Sequence, residues 1–286
     1  MGKLIDGIAV ASRVKSNVKK AVDELKSMGV QPCLATVLVG DNPASATYVK
    51  NKQKAAAEIG ISTRDYSPPE TFTHMELLEL VQSLNTDSEV HGILVQLPLP
   101  SQINEFEVIS VLSPFKDVDG LTPLNAGMLL YDRAILKPCT PSGIMELLDF
   151  YGIDISGMDA VVVNRSNLVG KPLAFLLLQR NATVTLCHSK TKNLPARLAD
   201  ADLIVTAVGD RAQFTLTAAM VKKDAVVIDV GTTMYKGKLS GDADLESVRE
   251  KAAWITPVPG GVGPMTIAML LKNVVTAASG RREMYT

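Results

Sequence analysis

Cysteine and histidine are scarce in this sequence of 286 residues, with three of each. Cys33, Cys139 and Cys187 stand singly, without a C-x-x-C pair, and His74, His91 and His188 are as widely scattered. An odd number of isolated thiols shows no disulfide framework and fits a reducing compartment, and no His/Cys spacing suits zinc, so no metal is expected. Aromatics make up 5% of the chain, too few for stacking platforms along single-stranded nucleic acid. Charge of one sign is also lacking: 29 Lys plus Arg against 30 Asp plus Glu leave a formal −1, which draws neither nucleic acid nor an acidic membrane. No apolar run approaches the ~18 residues that span a bilayer. The opening Met1-Gly2-Lys3-Leu4-Ile5-Asp6 has no apolar leader stretch, and Asp6 stands where myristoylation needs Ser or Thr. A cytoplasmic location, with no membrane and no nucleic acid as partner, is expected.

What is present is an average folded composition, 47% apolar and 21% charged. The length predicts two domains at ~100–200 residues each. Apolar positions at helical spacing fill residues 3–28, and Leu34–Val39 reads as a strand closed by Gly40. Helices over 44–59 and 74–85 precede a buried-type strand, Gly92–Leu97, ending at Pro98. The alternation repeats in the second half, with strands at 159–163, 183–187, 203–208 and 225–229 and a helix from Lys171 to Arg180. The fold class is therefore α/β: two α/β domains, the second a doubly wound, Rossmann-type parallel sheet. Breakers in Lys137–Gly143 mark the boundary, and a last helix, roughly 264–279, is expected to return to the first domain.

The turn Asn164-Arg-Ser-Asn-Leu-Val-Gly170 between a strand and a helix sits where backbone N–H groups and the helix dipole favour a phosphate. It is not G-x-G-x-x-G, and on its own it fits an ordinary strand-to-helix loop equally well. The next strand ends Cys187-His-Ser-Lys-Thr191, with no carboxylate to bond a ribose 2′-hydroxyl. Arg165, Ser189 and Lys190 also fit a solvated basic loop, but they suit a 2′-phosphate, which favours NADP over NAD. In the first half, Tyr48 and Lys52 lie one turn apart on a helix face, a spacing that by itself fits a surface helix with a snorkelling lysine.

Taken together, Tyr48-Val-Lys-Asn-Lys52, Gly92-Ile-Leu-Val-Gln-Leu-Pro-Leu-Pro100, Lys116-Asp-Val-Asp-Gly120, Pro138-Cys-Thr-Pro141, Arg165–Gly170, His188-Ser189 and Pro257–Thr266 resemble the bifunctional methylenetetrahydrofolate dehydrogenase/methenyltetrahydrofolate cyclohydrolase (FolD) family. The segments run in family order from about residue 40 to 275. The resemblance implies a tetrahydrofolate substrate, NADP as cofactor, a homodimer and an active site in the cleft between the domains. The domains become 1–137 plus 265–286 for folate and catalysis, and 138–264 for NADP. Lys52 is implied as the main catalytic group, with Gln96 bonded near it, Tyr48 against the aminobenzoyl ring and Asp119 anchoring the pterin. Leu97, Pro98, Pro259, Gly260 and Gly261 are implied to line the substrate, and Asn164, Arg165, Ser166, Ser189 and Thr232 the cofactor.

These roles suit the chemistry. A cationic methenyl substrate disfavours a facing ammonium, so a desolvated Lys52 amine can manage protons. A carboxylate at position 119 can accept from both the amide N–H and the amine of a pterin. The chain departs from common family patterns at Asn164, where Gly is frequent and a left-handed turn is expected to tolerate Asn. It departs again at Leu121-Thr122 and at Thr232-Thr233. Two rivals remain: another two-domain dehydrogenase, for amino acids or shikimate-type acids, and a non-catalytic NADP- or folate-binding sensor.

Overall fold

The computed structural model describes residues 1–280. Two compact units divide the chain: Met1–Ser12 with Thr140–Thr266, and Arg13–Cys139 with the segment from Ile267 onward. Residues 281–286, the end of the expected folate domain, lie outside the described residues.

The first strand was hidden inside the expected helix. β1 (Lys3–Leu4) pairs in parallel with Trp254–Ile255, which is why residues 1–12 group with the nucleotide-type sheet rather than with 13–137. Helix α1 (Gly7–Ser27) buries Val10, Val14, Val18, Val22 and Leu25, a stripe at 3.6-residue spacing.

In the unit beginning at Arg13, β2 (Cys33–Val37), α2 (Pro43–Glu58), β3 (Ser62–Tyr66), α3 (His74–Thr86) and β4 (Gly92–Val95) build a parallel sheet of order β3-β2-β4. All residues of β2 and β4 are buried, as the continuous apolar runs require of strands covered on both faces. Thr73 and Glu76 close a reciprocal capping box at the start of α3. Leu77, Val81 and Leu84 of that helix pack on Ala35, Val37, Ile93 and Val95. Helices α4 (Glu105–Val111) and α5 (Pro123–Leu130) follow, and α6 (Cys139–Phe150) leads into the other unit.

That unit contains β5 (Asp159–Val163), α7 (Gly170–Gln179), β6 (Thr183–Cys187), α8 (Leu194–Ala199), β7 (Leu203–Thr206), β8 (Val226–Asp229), the antiparallel hairpin of β9 (Thr233–Tyr235) and β10 (Lys238–Ser240), α9 (Leu245–Lys251) and β11 (Trp254–Ile255). Its sheet runs β1-β11-β8-β7-β5-β6, every pair parallel. The chain steps outward from β5 to β6 and then resumes on the other side at β7. The order therefore reverses between β5 and β7, where doubly wound sheets bind their ligands. α10 (Val262–Ala278) begins in this unit and continues into the other. Among the described residues no helix is long and apolar enough to cross a membrane.

Candidate active site

Asn42 caps α2 by accepting from the Ser45 N–H, and Pro43 fills the first turn, where a missing N–H costs nothing. From that start, Val49, Lys52, Ala55 and Ala56 fall on the buried face. Lys52 is only 3% exposed, so it is not the snorkelling surface lysine its spacing also allowed. Its Nζ lies 4.3 Å from the centre of the Tyr48 ring, a cation–π geometry, and donates to Gln96 Oε1 at 3.3 Å. Gln96 extends β4 by donating its backbone N–H to Val37 O at 2.8 Å. Its Nε2 is tied to Leu97 O at 2.7 Å, which leaves Oε1 to face the lysine. Leu97 and the exposed Pro98 follow directly.

Asp119 stands on a loop built from inside the same unit. Ile93 N donates to Lys116 O, joining the loop to β4. Asp117 is buried and accepts from Thr122 N at 2.7 Å and Asn125 Nδ2 at 2.9 Å; burial outweighs these bonds and pushes its carboxyl up. Thr122 caps α5, so the Leu121-Thr122 departure gives the loop a helix start. Gly120 adopts φ +68°, and a Cβ there would lie 2.6 Å from the Lys137 carbonyl carbon.

Asp119 itself is half-buried and accepts from Cys139 Sγ at 3.5 Å. Burial, reinforced by the Asp119 charge, pushes the Cys139 thiol well above its ordinary range. Asn273 Nδ2 donates to Val118 O at 2.7 Å and Lys137 O at 2.9 Å. Sequence reasoning missed Asn273, because only the tertiary return of α10 brings it to this loop.

The other unit holds the residues expected to meet the nucleotide. Asn164 is not left-handed; its side chain, rather than a permissive backbone, shapes the turn. Oδ1 accepts from Ser166 N at 2.7 Å and Gly170 N at 3.0 Å, and Nδ2 donates to Ala207 O at 2.6 Å. Gly170, the first residue of α7, would carry a Cβ 2.2 Å from Asn164 O, so the strand-to-helix turn admits no side chain there. Ser166 Oγ accepts from Val169 N. Arg165 is exposed and forms no ion pair among the described residues. At the end of the adjacent strand β6, His188 Nδ1 accepts from Lys190 N and Ser189 is exposed. This arrangement suits a phosphorylated dinucleotide: a tight turn at a helix N-terminus, and no carboxylate where a free ribose hydroxyl would need one.

Thr232 is exposed on the loop after β8. The buried Asp229 at that strand's end is pushed up to about 6 by burial. Pro259, Gly260 and Gly261 belong to this unit, not to the unit of Lys52 and Asp119. The glycines were expected to admit a folate, but a nearer reason is visible. Gly7 N donates to Gly260 O at 2.9 Å, a Cβ on Gly7 would lie 1.7 Å from Gly261 O, and one on Gly261 would lie 2.5 Å from Pro257 O. The structure thus joins Tyr48, Lys52 and Gln96 directly, places Asp119 on a loop of the same unit, and gathers the nucleotide candidates on strand ends of the other.

Comparison with known proteins covers both units. The family described as tetrahydrofolate dehydrogenase/cyclohydrolase, NAD(P)-binding domain, matches residues 138–282, and the corresponding catalytic domain matches residues 5–119. The bifunctional protein FolD of Nitrosopumilus maritimus is 59% identical over 278 residues, covering 97% of each chain. The structure of the bifunctional enzyme FolD, a methylenetetrahydrofolate dehydrogenase/cyclohydrolase, from Campylobacter jejuni superimposes with a TM-score of 0.94 at 48% identity, covering 98% of this chain and 100% of that one. The Trypanosoma brucei N5,N10-methylenetetrahydrofolate dehydrogenase-cyclohydrolase, complexed with NADP cofactor and inhibitor, gives a TM-score of 0.92 at 38% identity, covering 98% of each chain. Matched in both halves and aligned with such relatives almost end to end, the chain belongs to the tetrahydrofolate dehydrogenase/cyclohydrolase family.

Proposed function

We infer that this chain is a bifunctional one-carbon folate enzyme that oxidises 5,10-methylenetetrahydrofolate to the 5,10-methenyl cation with NADP⁺ and hydrolyses that cation to 10-formyltetrahydrofolate. The observation that carries the reading is the buried Lys52, held by Gln96 over the Tyr48 ring. A lysine is costly to bury away from water, and a proton-handling task at an electrophilic carbon explains its place. The Lys52 amine takes the proton that water sheds on adding to the methenyl carbon. It then carries a proton for the ring nitrogen that departs.

Gln96 fixes the amine without adding charge, and Tyr48 offers its ring to the aminobenzoyl group. Asp119 accepts from the pterin's amide N–H and amine. Leu97 and Pro98 follow Gln96 and are assigned with it to the folate, whereas Pro259, Gly260 and Gly261 are assigned on resemblance alone.

NADP⁺, when bound, supplies the hydride acceptor. Arg165 and Ser189 would hold its 2′-phosphate, Ser166 has a hydroxyl proton to offer a phosphate, and Thr232 lies on the nicotinamide side. Asn164 spends its amide inside the turn, so it would serve by shaping the turn for a phosphate.

A homodimer through the nucleotide-binding unit suits β6, an edge strand with Thr183, Thr185 and Leu186 exposed. A cytoplasmic location suits three cysteines that are buried and unbridged. Light scattering after size exclusion tests the first, and cell fractionation the second. The reaction is tested spectrophotometrically with methylenetetrahydrofolate and NADP⁺ or NAD⁺. NADPH formation, followed by loss of the methenyl absorbance, is expected. Ligand binding without turnover would instead identify a sensor.

A further inference from the structure

Two buried carboxylates tie together the loops that leave β7 and β8. Asp242, completely buried, accepts from Val208 N at 2.7 Å and from Gly209 N at 2.9 Å. Asp229, 3% exposed, accepts from Gly231 N and Asp242 N at 3.0 Å each, from Ala243 N at 2.8 Å and from the Thr206 hydroxyl at 3.2 Å. Two glycines make the room. A Cβ on Gly231 would lie 2.3 Å from Asp242 Cγ, and one on Gly241 would lie 2.0 Å from Asp229 Oδ2.

The network reaches the phosphate turn as well, because Asn164 Nδ2 donates to Ala207 O, next to Val208. That bond crosses the reversal of strand order between β5 and β7. Arg211 and Asp210 are the other charged groups acting on Asp242. Arg211 is itself engaged by Asp244 and by the Tyr235 ring.

Burying two acids against each other is a poor way to gain stability, since desolvation of both and their mutual repulsion oppose folding. What the arrangement does supply is fixed geometry. Five backbone N–H groups, of Val208, Gly209, Gly231, Asp242 and Ala243, point at carboxylate oxygens that a hydrophobic core could not provide. The loops so fixed sit at carboxyl ends of parallel strands, on the side of β5 opposite the β6 loop with Ser189. If the 2′-phosphate end of the dinucleotide lies toward β6, the nicotinamide end lies toward β7 and β8.

We propose that Asp242 and Asp229 are positioning residues for the nicotinamide half of the nucleotide, acting through the 207–210 and 230–233 loops. The proposal rests on the NADP reading above. Neither carboxylate touches the ligand; each holds the backbone that does. The glycines are part of the device, because any side chain at position 231 or 241 displaces an acid.

The test compares NADP⁺ with adenosine 2′,5′-bisphosphate, which carries only the adenosine half, by calorimetric titration of the full chain. Asp242→Ala should weaken NADP⁺ by about tenfold or more, because the freed loop must then be ordered at the expense of binding, and leave the bisphosphate within about twofold. Asp242→Asn keeps the shape and one acceptor, should fall between, and carries the test if Asp242→Ala does not fold. Hydrolysis of methenyltetrahydrofolate without nucleotide should stay within about twofold of wild type in the folded variant. Equal loss of both ligands indicates a merely structural role and overturns the proposal, as does unchanged NADP⁺ binding in a folded variant. A wild-type chain that binds neither ligand refutes the NADP reading and removes the proposal with it. A wild-type chain that binds both, with variants that lose neither, refutes the positioning role alone.

Discussion

Lys52 Nζ is 3.3 Å from Gln96 Oε1, and the amide that supplies this oxygen is anchored to its own strand end through Leu97 O. The lysine comes from a helix and the glutamine from the end of β4, a fully buried strand at the edge of its sheet, so packing of α2 against the sheet sets the position of the amine. Lys52→Met keeps the length of the side chain and removes the amine proposed to carry protons. Methenyltetrahydrofolate hydrolysis, followed by loss of the methenyl absorbance, should fall ~10²–10⁴-fold, the range that general acid–base groups contribute. Hydrolysis within a few-fold of wild type would sink the assigned role.

Arg165, exposed at the turn before α7, is the side chain proposed above to meet the 2′-phosphate that NADP carries and NAD lacks. Arg165→Ala should raise the KM for NADP⁺ about tenfold or more, as expected for losing a charge-assisted bond to phosphate, and change that for NAD⁺ by less than about threefold. Steady-state kinetics with both nucleotides checks this, and parallel losses would reject 2′-phosphate recognition.

The turn before α7 has no room at Gly170. A methyl group there would stand 2.2 Å from the Asn164 carbonyl oxygen and disturb the bond from Gly170 N to Asn164 Oδ1. Gly170→Ala should destabilise the chain by ~1–3 kcal/mol, the usual cost of overpacking, and weaken nucleotide binding. Urea unfolding and nucleotide titration measure the two effects, and an unperturbed midpoint would show that the turn yields easily.

Asp229 makes stability depend on pH in an unusual direction for an aspartate. Burial raises its folded pKa to about 6 from 3.8, so the folded chain binds this proton more tightly than the unfolded one. The stabilisation from that proton is complete below pH 3.8 and is lost as pH rises through about 6. The whole window is worth about 3 kcal/mol, about half of it between pH 5 and pH 8. Asp229→Asn cannot titrate, so wild type should lose roughly 1–2 kcal/mol relative to it between those pH values in urea unfolding. A constant difference between the two proteins would contradict the raised value.

Much of this site was legible because helical and strand periods are local. Tyr48 and Lys52 share a face by spacing alone, and Gln96 ends an apolar run cut off by Pro98. Burial of Lys52 was not legible, since the same spacing fits a solvated helix until the sheet is placed beside it. β3 reads as a polar stretch, Ser-Thr-Arg-Asp-Tyr, and becomes a strand only by pairing along the whole of β2; Arg64 then bonds Asp87, and Asp65 accepts from Thr36. β1 is two residues long, and what makes it a strand is Trp254–Ile255, about 250 positions away. The turn at Asn164 was found in the right place for the wrong reason, because side-chain capping of a loop leaves no periodic trace. The Asp229–Asp242 pair was missed for a related reason: thirteen positions apart in sequence, the two acids meet only when the β9–β10 hairpin returns the chain.

The chain passes between its two units three times, after Ser12, Cys139 and Thr266. On the ribosome this creates a long wait. The sheet of Lys52 and Gln96 is made early, but the part of α10 that completes its unit emerges only after Ile267; at ~5–20 residues per second, the stretch from Cys139 takes about 6–26 s to synthesise. Throughout that interval Val118 O and Lys137 O lack Asn273, and Gly92 lacks the Val274 side chain that closes over it. A nascent chain stopped between Cys139 and Ile267 therefore leaves the first-made sheet unfinished, with these two carbonyls and the Gly92 face uncovered.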